Sequence, residues 1–215
     1  MRLASLVRGT VRRVGASRLD GMAAEGDVRP DAEGGEVHAE RELDAQAQAR
    51  RRVALAQIRQ YPDAALRMRA REVAQFDEDL ARLAEKMVHL MHDARGVGLA
   101  ATQVGVLQRL FVFQPVDDED ALAVVNPELT SRSQETEVMD EGCLSLQGVL
   151  VPVERSLTVT LEGRDLAGGP LKLELEEMGA RVAQHELDHL DGILMIERTD
   201  DESRRDALAT LRRSL

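Results

Sequence analysis

The sequence predicts an α+β fold in which short antiparallel or mixed β-sheets pack around a central helix carrying a His-Glu-x-x-His motif. Three observations lead there. Helical periodicity over residues 77–94 gives way to short alternating runs between residues 109 and 175, and the period returns to helical after Gly179. Strands and helices do not alternate and no segment repeats, so nothing points to a parallel βαβ architecture.

Residues 1–50 hold scattered glycine and charge (Gly21, Gly26, Gly34, Gly35, Glu36, Glu40, Glu42) with few large apolar residues in register. They are expected to form a disordered N-terminal extension ahead of a folded domain at 51–199. Arg2, Arg8, Arg12, Arg13 and Arg18 precede the first acid, Asp20, a composition shared with organellar transit peptides. The alternative is a bacterial extension, with Met22 as a candidate start. No continuous apolar run follows, which argues against a secretory signal.

From Val53 the pattern tightens. Tyr61-Pro62-Asp63 signals a turn, and Asp77 to Ala94 places Leu80, Leu83, Met87, Leu90, Met91 and Ala94 on one face of an amphipathic helix. A loop of small residues, Gly96 to Gln103, leads to a strand at Arg109–Phe113. A second strand, Leu122 to Val125, is expected to stop at Asn126-Pro127. Leu157-Val159-Leu161 and Leu171-Leu173-Leu175 alternate with polar residues and are separated by Gly163 and Gly168-Gly169-Pro170, as in a hairpin. The helix after Gly179 carries Val182, Glu186, His189 and Ile193 along one side. Residues 200–215 are expected to form a C-terminal amphipathic helix with Leu208, Leu211 and Leu215 opposite Arg204, Arg205, Arg212 and Arg213.

Composition narrows the chemistry. The chain has 215 residues, and no stretch approaches the roughly 18 apolar residues that a membrane-spanning helix needs. The net charge of −11 opposes a phosphate backbone, so DNA is not an expected partner, and with 2% aromatics there is little to stack bases on. One cysteine, Cys143, excludes an intramolecular disulfide and points to a reducing compartment or to sulfur chemistry.

The sharpest signal is His185-Glu186-Leu187-Asp188-His189. On a helix, residues i and i+4 lie one turn apart, so both imidazoles can hold one metal ion while Glu186 reaches a water in an open position. Catalytic sites of this kind use three protein ligands. An extended His motif would need a third His where Met195 stands, and Glu197 and Glu202 come too soon to serve as a distant Glu ligand. Cys143, in Glu141-Gly142-Cys143-Leu144-Ser145, is the remaining candidate; next to a cation its thiol would lose its proton, and Gly142 would allow close backbone approach. Gly96-Val97-Gly98-Leu99-Ala100-Ala101-Thr102-Gln103 lacks the Lys of a phosphate-binding loop. Gln103 could donate to a developing oxyanion, and the glycines would let an extended peptide lie against the backbone. These residues alone indicate metal-assisted amide hydrolysis, with a general metallopeptidase still open.

The three segments, in this order, resemble the peptide deformylases, whose motifs G-x-G-x-A-A-x-Q, E-G-C-L-S and H-E-x-x-H are matched in full at Gly96 to Gln103, Glu141 to Ser145 and His185 to His189. The resemblance covers about Val53 to Arg198. It implies that Cys143, His185 and His189 bind one divalent ion, natively Fe(II) in many members and replaceable by Zn, Ni or Co. It further implies that Glu186 is the general base and then acid, and that Gln103 and the Leu144 N–H bind the formyl oxygen. Gly98 would contact the substrate backbone, with Val97, Leu144 and Val182 shaping a pocket for N-formylmethionine, and Glu141 with Arg155 would brace the strand that carries Cys143. The implied setting is a cytoplasmic, monomeric enzyme of nascent chains, with ribosome contact through the C-terminal arginines as an alternative to a plain solvated helix. Gln147 stands where many members have Pro, and Leu150 where many bacterial members have a substrate-contacting Arg.

Overall fold

Leu110 to Phe113 are all fully buried, which an alternating strand achieves only when both faces of its sheet are covered. The structure is a computed structural model that describes residues 32–114 and 120–213, with side chains from Asp44 onward. The chain divides into a unit of Met1–Ala39 and a unit of Glu40–Leu215, and every described strand belongs to the second. The arginines of residues 2–18 and the Met22 start lie outside the described residues.

The elements run α1 (Ala32–Leu55), α2 (Glu78–Asp93), β1 (Gly98–Ala100), β2 (Leu110–Phe113), β3 (Leu122–Arg132), β4 (Thr136–Cys143), β5 (Leu146–Ser156), β6 (Thr158–Arg164), β7 (Pro170–Glu176), α3 (Glu177–Leu190) and α4 (Asp201–Arg213). Five strands form one antiparallel sheet in the order β1-β2-β3-β6-β7, and β4 and β5 form a separate hairpin. The α+β expectation holds, and every named strand pair is antiparallel.

Leu110 and Val112 join Leu80, Ala84, Met87 and Met91 of α2 in one core, together with Ala54 and Leu55 of α1. Phe111 and Phe113, edge to face at 5.4 Å, point the other way and pack with Val159, Leu161 and the α3 residues Ala180, Val182, Ala183 and Leu190. A third cluster joins Val149, Val151 and Val153 of β5 to Leu194, Met195, Ile196 and the α4 residues Ala207 and Leu211. Helix α3 is thus central, with the sheet on one flank and the β4–β5 hairpin on the other.

Three sequence expectations need correction. The boundary at residue 50 falls inside α1, whose Ala-, Glu-, Gln- and Arg-rich sequence forms a helix by propensity without the apolar periodicity that pattern reading requires. Strand β3 does not stop at Asn126-Pro127. Pro127 has no N–H to give the ladder, and the strand absorbs it with a register shift between Val125 and Glu128. Asn126 there takes φ 51°, and its side-chain amide accepts from Val73 N at 2.8 Å and donates to Val73 O at 2.9 Å. The Gly96–Gln103 segment is not all loop: Gly98–Ala100 pairs with β2, and a 3-10 turn at Ala101–Val104 ends on Gly105 at φ 80°.

Candidate active site

Helix α3 sets His185 and His189 one turn apart, with ring centroids 4.9 Å from each other. From the opposite side, the end of β4 delivers Cys143 at the register shift where the hairpin ladder jumps from Gly142–Leu150 to Cys143–Leu146. Cys143 Sγ lies 3.2 Å from His189 Nε2, and one ligand atom from each of Cys143, His185 and His189 falls within 4.8 Å of the others.

The donor set fits a divalent cation. Bonds of about 2.3 Å to sulfur and about 2.1 Å to nitrogen at a tetrahedral angle put neighbouring donors about 3.5 Å apart, near the separation observed. Burial pushes the Cys143 thiol up, but the His189 and His185 rings outweigh it and hold the thiol well below its ordinary value. Burial pulls His185 down, and its bonds to Cys143 and Glu141 carry it well above its ordinary value. Both shifts favour the thiolate, the form in which sulfur binds a metal.

Glu141 lies behind the ligands. Its carboxylate accepts from His185 Nδ1 at 3.0 Å, from Arg155 Nε and Nη2 at 3.0 and 3.1 Å, and from Arg181 Nη1 at 2.9 Å. Burial raises Glu141, yet the bonds from His185 and Arg155 overcome it and bring the carboxyl to about 2. A carboxylate so firmly ionised keeps the proton on His185 Nδ1, so a metal would bind at Nε2 in place of the proton there.

Glu186 is buried, and burial, opposed by the charges of His185 and His189, raises its pKa to about 7. Its Oε2 has no hydrogen-bond partner among the described residues. A Cβ added at Gly98 would collide with Glu186 Oε1 and come within 2.8 Å of Val182 Cγ1, so glycine there is what leaves the carboxylate room. Gln103, also buried, accepts from Ala100 N at 2.8 Å and donates to Ser145 Oγ at 3.1 Å, with its amide nitrogen 3.6 Å from Cys143 Sγ. Except for His189, the predicted metal, catalytic and substrate-contacting residues, Val97, Leu144 and Val182 among them, line one cleft of about 670 Å³. Gln147 and Leu150 line it as well; Gln147 Nε2 donates to Gln60 Oε1 at 2.9 Å, and Leu150 is 69% exposed.

The sequence model of the polypeptide deformylase family matches residues 55–205. The chain is a member of that family. It is 42% identical over 164 residues to peptide deformylase 1 of Corynebacterium glutamicum, covering 75% of this chain and 97% of that one. Against the peptide deformylase of Thermotoga neapolitana it is 45% identical over 141 residues, 66% of this chain and 85% of the other. The crystal structure of a peptide deformylase from Legionella pneumophila superposes with a TM-score of 0.69 at 39% identity, covering 73% of this chain and 92% of that one.

Sequence reading of this deformylase missed part of the polar frame. Arg181 also donates to the carbonyls of Val153 and Glu137, at 2.9 and 2.8 Å. Asp188, inside the histidine motif, accepts from Arg155 at 2.6 Å and from Arg198 at 2.6 and 3.1 Å. A helical signal was present: 181, 185 and 188 recur at i, i+4 and i+7, so these residues share the face turned to the hairpin. Apart from Arg198, however, the partners named here come from a hairpin 28 to 44 residues earlier.

Proposed function

We infer that this deformylase hydrolyses the N-formyl group of the formylmethionine that begins newly made polypeptides, releasing formate, with one divalent metal ion held by Cys143, His185 and His189. The observation that carries the reading is the convergence of these three donors, two of them lining the cleft, beside a buried carboxyl whose Oε2 has no hydrogen-bond partner among the described residues. An ion bound there would act as a Lewis acid, polarising the carbonyl and bringing the pKa of water from about 15.7 towards about 7.

The chain's own groups supply the rest. Glu186, near 7 before a cation is added, takes a proton from water and later returns it to the leaving amine. Gln103 Nε2 donates to Ser145 Oγ and, at 3.6 Å, to Cys143 Sγ; as charge develops, the proton on the sulfur side would turn to the formyl oxygen, with the Leu144 N–H as the other donor. Gly98 leaves the substrate backbone room beside Glu186, and Val97, Leu144 and Val182 supply apolar contact for the methionine side chain.

Fe(II) is the proposed native ion, with Zn, Ni or Co as substitutes: a thiolate and two imidazoles accept all four, and availability decides among them. No described helix is long and apolar enough to cross a membrane. A cytoplasmic monomer meeting the emerging chain fits the reading, and the exposed Arg204, Arg205, Arg212 and Arg213 of α4 are its candidate ribosomal contacts.

The test is formate release from formyl-Met-Ala peptides by anaerobically purified protein, with metal analysis alongside. N-acetylated and unblocked longer peptides should be inert. Cleavage of internal bonds without formate would replace this reading with a general peptidase.

A further inference from the structure

We propose that Arg51 and Arg95 make the cleft selective for formylated peptides with an acidic side chain at the third residue. The proposal rests on the deformylase reading and deepens it. Glu186 against Gly98 marks the reacting end of the cleft. Arg95 lines the same cleft from the turn that ends α2, three residues before Gly98 in sequence, and a substrate strand running from Glu186 along that wall would bring its third residue toward that turn.

Arg95 follows the last turn of α2, with its N–H on His92 O at 2.9 Å and φ 59°, a conformation that ordinarily selects glycine. Arg51 comes from α1 and donates from Nε to Ala94 O at 3.3 Å, which brings its guanidinium to the same helix end. Both are exposed, both line the cleft, and neither forms an ion pair among the described residues.

The charges facing them favour an anion. Glu141 and Glu186 are buried at the floor, and Glu141 is already matched by Arg155 and Arg181. Asp140, on the hairpin wall, is the one exposed acid of the cleft among the described residues, so two guanidiniums face one carboxylate. Arg51 comes from α1, just ahead of the 55–205 span that the family model matches, and Arg95 from within that span.

The experiment measures formate release from C-terminally amidated formyl-Met-Ala-Ser, formyl-Met-Ala-Glu and formyl-Met-Ala-Lys, so that no free carboxylate competes with the side chain. We expect kcat/KM for the Glu peptide to exceed that for the Lys peptide about tenfold, through KM, and to fall toward parity in about 0.5 M salt. The double variant Arg51→Glu/Arg95→Glu should reverse the order. Equal values for Glu and Lys peptides, or a preference that the double variant leaves in place, would overturn the proposal while the Ser peptide still reports deformylation. No formate from the Ser peptide would instead overturn the deformylase reading, and this proposal with it.

Discussion

Replacing Glu141 by Gln keeps the shape of the side chain and removes the charge on which Arg155, Arg181 and His185 converge. Its carboxyl falls from an ordinary 4.5 to about 2 in the folded protein. At about 1.36 kcal/mol for each tenfold change in proton affinity, that drop corresponds to about 3 kcal/mol of stability. Breaking a buried ion pair by removing one partner costs about 3–5 kcal/mol, so two independent routes agree. Because the folded-state pKa lies below the unfolded one, the contribution is complete above pH 4.5 and is lost as the pH falls from there toward 2. Urea unfolding of chelator-treated parent and Glu141→Gln protein should therefore differ by about 3 kcal/mol at pH 7, with the gap narrowing below pH 4.5. The amide also cannot hold the proton on His185 Nδ1 as the carboxylate does, so metal affinity should fall about 10- to 100-fold. A difference below about 1 kcal/mol at neutral pH, or one that stays constant as the carboxyl titrates, would refute the account of Glu141 as the ionised centre of the frame.

Glu186→Ala should keep its metal and lose about 10²- to 10⁴-fold in kcat; unchanged turnover would remove Glu186 from proton transfer. Cys143→Ala should purify folded but bind metal far more weakly, as metal analysis after dialysis will show. In Gly98→Ala the new methyl meets Glu186 and Val182, so kcat/KM should drop at least about tenfold with metal content intact; full activity would mean that the wall yields easily. Asn126→Ala should cost about 3 kcal/mol in thermal or urea unfolding, since it strands both polar groups of Val73 and sets Ala at positive φ. Asn126→Gly, which accepts the backbone but not the bonds, should recover about 1 kcal/mol of that loss.

Legibility varied with how local the signal was. Helices α2 and α4 and the β6–β7 hairpin announced themselves because their apolar residues recur at one period over the whole element. Strand β4 did not: it is acidic and largely exposed, and only Glu141 along it is buried. Strand β5 alternates at Val149, Val151 and Val153, but Gly148 and Pro152 interrupt the run and hide it from pattern reading. The site residues were readable as three motifs, but the frame of Arg155, Arg181, Asp188 and Arg198 was legible only in its Glu141–Arg155 pair. A buried arginine and a surface arginine look alike until the partner carboxylate is known.

By itself the sequence determined the α+β class, the helix with two histidines a turn apart, the lone cysteine with its glycine, and membership of the deformylase family. These are properties of spacing along the chain, which a helix or strand converts directly into direction. Only the tertiary structure decided that β4 lies across α3, so that Glu141 orients His185 and Cys143 closes on His189. It likewise decided that α1 reaches the cleft with Arg51. Contacts between segments tens of residues apart depend on how layers pack, and packing is settled by the whole core rather than by any one stretch of it.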